Sequence, residues 1–260
     1  IMRIWAAVKY ALNSTLGTNE FTPLDVLIKN AVVGGIEEYI SFGSYTFTVP
    51  AGVTKIKVTA CGAGAGGCGG YYYSSKYNAH GGNGGGGGAA AIKRFDVIPG
   101  DKISITVGKG GTGADGGKGP TTQYPQPTKG GNTIIGNLMT LAGGNAPVHT
   151  NSTLGTVGTA GGTGGGDGGT PWGSVEIPAT AGKNGLVGKG GTTDAPTVQS
   201  AGGGGGGSLG NGGNAVYNSD GGNGTRGGGG AGGSGNSSKQ TKGGNGGDGY
   251  VKIEWGACAL

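Results

Sequence analysis

The chain has little of most things that build an ordinary fold. Leu, Ile, Val and Phe together number 44 of its 260 residues, and charged residues make up 12%. No apolar run approaches the roughly 18 residues that a membrane-crossing helix needs, and the middle of the chain lacks helix formers. A membrane-inserted helix, a helical bundle and a doubly wound enzyme are therefore disfavoured. Arginine occurs three times, and only Arg226 is embedded in glycine, which argues against an Arg-Gly type of nucleic-acid-binding tail. The net charge of +5 comes from scattered lysines without a basic stripe, so no nucleic-acid partner is expected. Three cysteines (Cys61, Cys68, Cys258) cannot all pair, and with two histidines no spacing matches a zinc site. No metal or cofactor is expected. The first residues mix Arg3 and Lys9 into a short apolar stretch, which does not read as a secretory signal.

What the chain does have is glycine, 71 residues of it, with 10 proline. That fraction lies in the range of low-complexity chains, yet the weak net charge gives none of the self-repulsion that keeps such chains unfolded. The glycine is also unevenly placed: five residues fall in 1–60 and 66 in 61–260. A boundary is expected near residue 40. Before it, Ile4, Trp5, Val8, Ala11 and Leu12 recur at helical spacing. A second helix is signalled by Thr22 as N-cap, Pro23 at the first helical position and a stop at Gly34-Gly35. Residues 1–40 are read as a helical attachment or assembly segment, and 41–260 as one glycine-rich domain.

Within that domain, residues 45–60 alternate apolar and polar on both sides of Pro50-Ala51-Gly52, a β-hairpin signal. Further strands are expected over 89–97, 102–107, 133–141 and 250–255. The predicted fold is mainly β: a small antiparallel β-sandwich with a bundle of polyglycine-II-type helices inserted between its strands, preceded by the short N-terminal helical segment. The bundle is inferred from register. From Gly110, Gly229 and Gly243 the chain reads in glycine-first triplets, mostly Gly-Gly-x. A period of three is that of the extended helix with three residues per turn. Such a helix has no internal hydrogen bonds, so it is ordered only beside others that satisfy its backbone.

Between the tracts lie 71–80, 120–129, 171–178, 192–200, 214–220 and 236–242, expected as turns at the ends of the bundle. They hold much of the aromatic chemistry: Tyr71, Tyr72, Tyr73, Lys76, Tyr77, His80, Tyr124, Trp172 and Tyr217. With no core to fill there, these side chains are the candidate receptor-binding residues, because tyrosine and tryptophan give large contact area at low entropy cost. No Gly-Lys pair is followed by Ser or Thr, so the glycines do not read as a phosphate loop. Neither His80 nor His149 sits in a catalytic motif, and no catalytic residues are assigned.

The opening at 45–53 (Tyr-Thr-Phe-Thr-Val-Pro-Ala-Gly-Val), the Gly-Gly-x triplets and the close at 247–255 (Gly-Asp-Gly-Tyr-Val-Lys-Ile-Glu-Trp) resemble glycine-rich bacteriophage tail-fibre and receptor-binding proteins. In tail-fibre adhesins of that kind, loops joining packed polyglycine helices carry host recognition. The resemblance implies a non-enzymatic adhesin of the virion, at a tail fibre or tail tip. It would bind a host cell-surface glycan or protein through the aromatic loops and other virion proteins through residues 1–40. It would assemble as a homo-oligomer, a trimer being one form. The alternative is a structural virion or surface component whose glycine domain is a spacer.

Overall fold

The computed structural model describes residues 34–72, 81–118, 125–148, 198–199, 209–216, 219–236 and 240–259. Of the expected helical segment 1–40, residues 1–33 lie outside the described residues, while 35–39 are not helical but form a strand of the sandwich. The described chain is mainly β, with two antiparallel four-stranded sheets. One runs β1 (Gly35–Tyr39), β12 (Tyr250–Trp255), β3 (Lys55–Cys61) and β5 (Ala90–Asp96); the other runs β2 (Gly43–Thr48), β6 (Lys102–Val107), β8 (Thr133–Ile135) and β9 (Met139–Leu141). Period-two alternation puts Ile56, Val58, Val251 and Ile253 of the first sheet against Phe47, Ile105, Ile135 and Leu141 of the second. Trp255 closes one end of this core, its ring 5.6 Å from that of Phe47.

Two local expectations need correction. Residues 45–60 are not a hairpin: β2 pairs with β6, while β3 pairs with β12 and β5. The Pro50-Ala51-Gly52 turn is real, with Val53 N–H donating to Pro50 O and Gly52 at φ 79°, but it carries the chain across the core from one sheet to the other. Alternation alone cannot separate the two arrangements, since both place Phe47, Val49, Ile56 and Val58 inward. Residues 133–141 are two strands rather than one. β8 and β9 form a hairpin turned at Gly136, whose φ of 45° suits glycine. The Pro99-Gly100-Asp101 turn between β5 and β6 is as expected, with Asp101 N–H donating to Ile98 O.

The strands lead straight into glycine tracts that lack side-chain cores and hold together by backbone. The tract at 62–70, which continues β3, is buried along its whole length. Its N–H groups go to three neighbours in rotation. Gly62, Ala65 and Cys68 donate to Ala89, Gly86 and Asn83. Ala63 and Gly66 donate to Gly131 and Thr128. Gly64, Gly67 and Gly70 donate to Gly247, Gly244 and Thr241. Its carbonyls accept from three others: Gly111 and Ala114 donate to Gly64 and Gly67, Gly230 and Gly233 to Ala65 and Cys68, and Gly144 to Ala63. Six tracts thus surround one. They also bond to each other in a closed ring, for example Gly86 to Asn145, Gly130 to Gly144, Gly131 to Lys109, Gly246 to Gly111, Gly244 to Ala231 and Gly85 to Gly230.

On outer tracts, burial itself repeats every third residue: Gly111, Ala114 and Gly117 are buried, while Thr112 and Asp115 are exposed. The outward side chains, exposed or half-buried, face amides of the next tract. Asp248 Oδ1 accepts from Gly110 N–H at 2.8 Å, Asn245 Oδ1 from Gly113 at 2.9 Å, and Asn132 Oδ1 from Gly143 at 3.0 Å. The third residue of the triplet therefore caps the next tract. Asp248→Ala leaves the Gly110 amide without its charged acceptor and is expected to cost about 1–2 kcal/mol, read as a lower denaturant midpoint at unchanged slope.

Candidate functional site

The tracts that adjoin β3, β5, β6, β8, β9 and β12 start at the sandwich, so their far ends are fixed by counting along the backbone. Tyr71 and Tyr72, immediately after the central tract, form β4 (Tyr71–Tyr72) in a third, small sheet. It contains β10 (Val198–Gln199), β11 (Gly235–Asn236), β4 and β7 (Gly117–Lys118), in that order. Tyr71 pairs with Gly117 and Tyr72 with Lys118, both in parallel, and Tyr72 also pairs in parallel with Asn236. Val198 and Gln199 pair antiparallel with Asn236 and Gly235.

Beneath this sheet the tracts are tied by hydroxyls. Thr241 Oγ1 donates to Ser234 O at 2.5 Å, Ser219 N–H donates to Ser234 Oγ at 2.9 Å, and Ser234 Oγ donates back to Ser219 O at 3.2 Å. Ser234 and Thr241 are fully buried. Alongside, Lys242 Nζ meets Asp115 Oδ1 at 2.7 Å, and this carboxylate raises the lysine pKa by hydrogen bond and charge. Lys242 N–H is capped by Asp220 Oδ1. Residues 214–220 and 236–242 are expected turns, but the ties among Ser219, Ser234 and Thr241 are not legible in the sequence, where serines and threonines among glycines carry no periodic signal that sets them apart.

Of the candidate receptor-binding residues, the structure brings Tyr71 and Tyr72 into this small sheet by their backbones. Tyr73, Lys76, Tyr77, His80, Tyr124, Trp172 and Tyr217 lie outside the described residues. The strands β4, β7, β10 and β11 are the stems from which the chain enters 73–80, 119–124, 200–208 and 237–239. At the opposite pole, the β5–β6 and β8–β9 turns border an open groove of about 670 Å³ lined by Asp96, Ile98, Asp101, Lys102, Ser104 and Asn137. Among the described residues no three His, Cys, Asp or Glu side chains come together as metal ligands would, and no helix is long and apolar enough to cross a membrane.

At the sandwich end of the bundle, Arg226 turns the chain at φ 37° and lays its guanidinium over the Tyr250 ring, 4.8 Å from the centroid. Tyr250 OH donates to Glu38 Oε1 at 2.6 Å, and Cys61 Sγ donates to Arg226 O at 3.3 Å. Burial pushes the Cys61 and Cys68 thiols up from 9 to about 12. A thiol-specific reagent at pH 8 is expected to modify neither in the folded protein and both after denaturation. The same shift sets an alkaline limit. Above pH 9 the unfolded chain loses thiol protons that the folded chain keeps until about pH 12, so the thiols' contribution to stability is constant below pH 9 and falls between 9 and 12. Burial raises the Tyr39 and Tyr250 phenols as well, in the same direction. Denaturant midpoints measured from pH 7 to 11 check this.

No curated protein matches the chain. A family model described as a glycine-rich domain matches residues 40–256, which takes in every strand of the two large sheets except β1 and every glycine tract. The chain belongs to this glycine-rich domain family.

Proposed function

We propose that the tracts are polyglycine-II-type helices and that their bundle is the rigid scaffold of a phage tail-fibre-type adhesin. The helix assignment is supported by donors, acceptors and burial that all repeat every three residues, the period of that helix. The functional reading rests on one observation: β4, β7, β10 and β11 gather in a single small sheet, so the chain enters the two aromatic stretches 73–80 and 119–124 from one hydrogen-bonded platform. Loops held on stiff stems lose less entropy on binding, and several copies on one particle would multiply weak contacts. In this reading Tyr71, Tyr72, Tyr73, Lys76, Tyr77, His80, Tyr124, Trp172 and Tyr217 contact a host cell-surface glycan or protein. The part of residues 1–40 that precedes β1 attaches the domain to the virion, which acts outside the host cell.

A spacer role is the second reading. It is favoured by the outward side chains Asp248, Asn245 and Asn132, which are engaged in capping neighbouring amides rather than presented to a ligand. Binding of fluorescently labelled protein to a panel of bacteria decides between them, measured beside a variant with Tyr71, Tyr72, Tyr73 and Tyr77 changed to Ser. The adhesin reading expects strain-selective binding that drops at least tenfold in the variant. A folded protein that binds no strain selectively supports the spacer.

A further inference from the structure

Of the four outer edges of the two large sheets, three are guarded. β1 carries Glu37 and Glu38, β5 carries Lys93, Arg94 and Asp96, and β9 is only three residues long. Charge and shortness are how natural sheets prevent a further strand from adding. β2 has neither. Its sequence, Gly-Ser-Tyr-Thr-Phe-Thr, is uncharged, free of proline and rich in β-formers. Val49 N–H donates to Asp101 O on the β6 side, so the alternation of the ladder turns Phe47, Tyr45 and Gly43 towards β6. The backbone groups of Ser44, Thr46 and Thr48 then face a side on which no described residue pairs with them, and all three residues are exposed. Just before the strand, Phe42 is 52% exposed.

We propose that this edge pairs with β2 of a second copy of the chain, antiparallel about a two-fold axis at Thr46, joining two four-stranded sheets into one of eight strands. The sequence is self-complementary in that register. Thr46 lies opposite Thr46, and Ser44 opposite Thr48, giving hydroxyl pairs on the outer face. Tyr45 lies opposite Phe47 as an aromatic pair on the inner face. Both kinds of cross-strand pair stabilise antiparallel sheets, and no like charges meet. Phe42 falls opposite Pro50, which covers the exposed ring and, having no N–H, ends the ladder at both sides. An unrelated partner strand would need no such symmetry, which is why a second copy is the chosen occupant. The pairing does not depend on what the far end of the bundle binds.

Sedimentation of the full chain over a concentration series tests it, with the Cys258→Ser background used for crosslinking. The expected result is a mass that rises from one chain to two, and returns to one chain in Thr46→Pro, which removes the central N–H. Thr46→Lys, which keeps the N–H but places two like charges on the axis, should do the same in case the proline variant fails to fold. Hydrogen-bonded residues opposite each other sit about 5.5 Å apart at Cα, within disulfide reach. Thr46→Cys should therefore form a covalent dimer on oxidation, and Thr140→Cys, on the same face but on β9, should not. A single-chain mass at every concentration with no Thr46→Cys crosslink would overturn the proposal. So would a dimer or higher oligomer that survives both Thr46→Lys and Thr46→Pro.

Discussion

Replacing Gly64 with alanine is expected to lower stability by about 3 kcal/mol or more, roughly 6–12 °C in melting temperature for a protein of this size. Gly64 sits in the central tract with an N–H donating to Gly247 O and a carbonyl accepting from Gly111 N–H, both at 2.8 Å. A Cβ there would overlap the carbonyl of Gly228, a backbone group in the ring that has no free rotamer to move into. Relief requires the 227–233 tract to shift, and that tract is itself bonded to the 81–89 and 241–249 tracts, so the cost spreads through several hydrogen bonds. The contrast is sharp because Ala63 and Ala65, on either side, are fully buried and accommodated. Ala142→Ser, at an exposed third position, is expected to change stability by less than about 0.5 kcal/mol. Thermal melts of the two variants beside the parent are the measurement. Equal melting temperatures for Gly64→Ala and the parent would mean the central tract is not packed backbone to backbone.

Phe47→Ala should cost about 3–5 kcal/mol, the usual range for emptying a buried aromatic site. Phe47 is 1% exposed, among the largest fully buried side chains, and it packs on Trp255 across the sandwich. Both sheets lose a contact at once. The effect should not stay local, because β3, β5, β6, β8, β9 and β12 each continue into a glycine tract. A bundle without side-chain cores returns only about 1 kcal/mol per hydrogen bond against roughly 1–2 kcal/mol of backbone entropy per residue. It therefore relies on the sandwich to hold its ends in register, and a single cooperative transition by circular dichroism and by tryptophan fluorescence is expected in Phe47→Ala as in the parent. Two separated transitions would show that the bundle stands alone.

Side-chain patterns made part of this legible. Alternation marked β2, β3, β5, β6 and β12, most clearly β2 and β6, where exposed residues alternate with buried or half-buried ones along the strand. The Pro99-Gly100-Asp101 turn followed from its residue types. The triplets gave the period of the tracts and which residue of each points outward. The same logic failed where side chains say nothing about pairing. Residues 45–60 cross between sheets instead of folding back, though the pattern suits both. β4, β7, β10 and β11 are two residues long, and two of them contain glycine, so their pairing rests on main-chain groups that every residue has. Of the candidate site, the sequence picked out Tyr71 and Tyr72 but not the Ser219, Ser234 and Thr241 ties beneath them.

The sequence by itself determined that this is a glycine-rich β protein with period-three tracts between its strands. Composition and periodicity are properties of one segment at a time. Only the tertiary structure decided that six tracts close around residues 62–70 and that β2 and β3 belong to opposite sheets. A glycine tract has no side chain to recognise a neighbour, and any extended backbone can bond to any other. The central tract and five of its six neighbours instead inherit their positions and directions from the strands they adjoin, the tract at 227–234 follows the turn at Arg226, and that order is settled where the two sheets meet in the core.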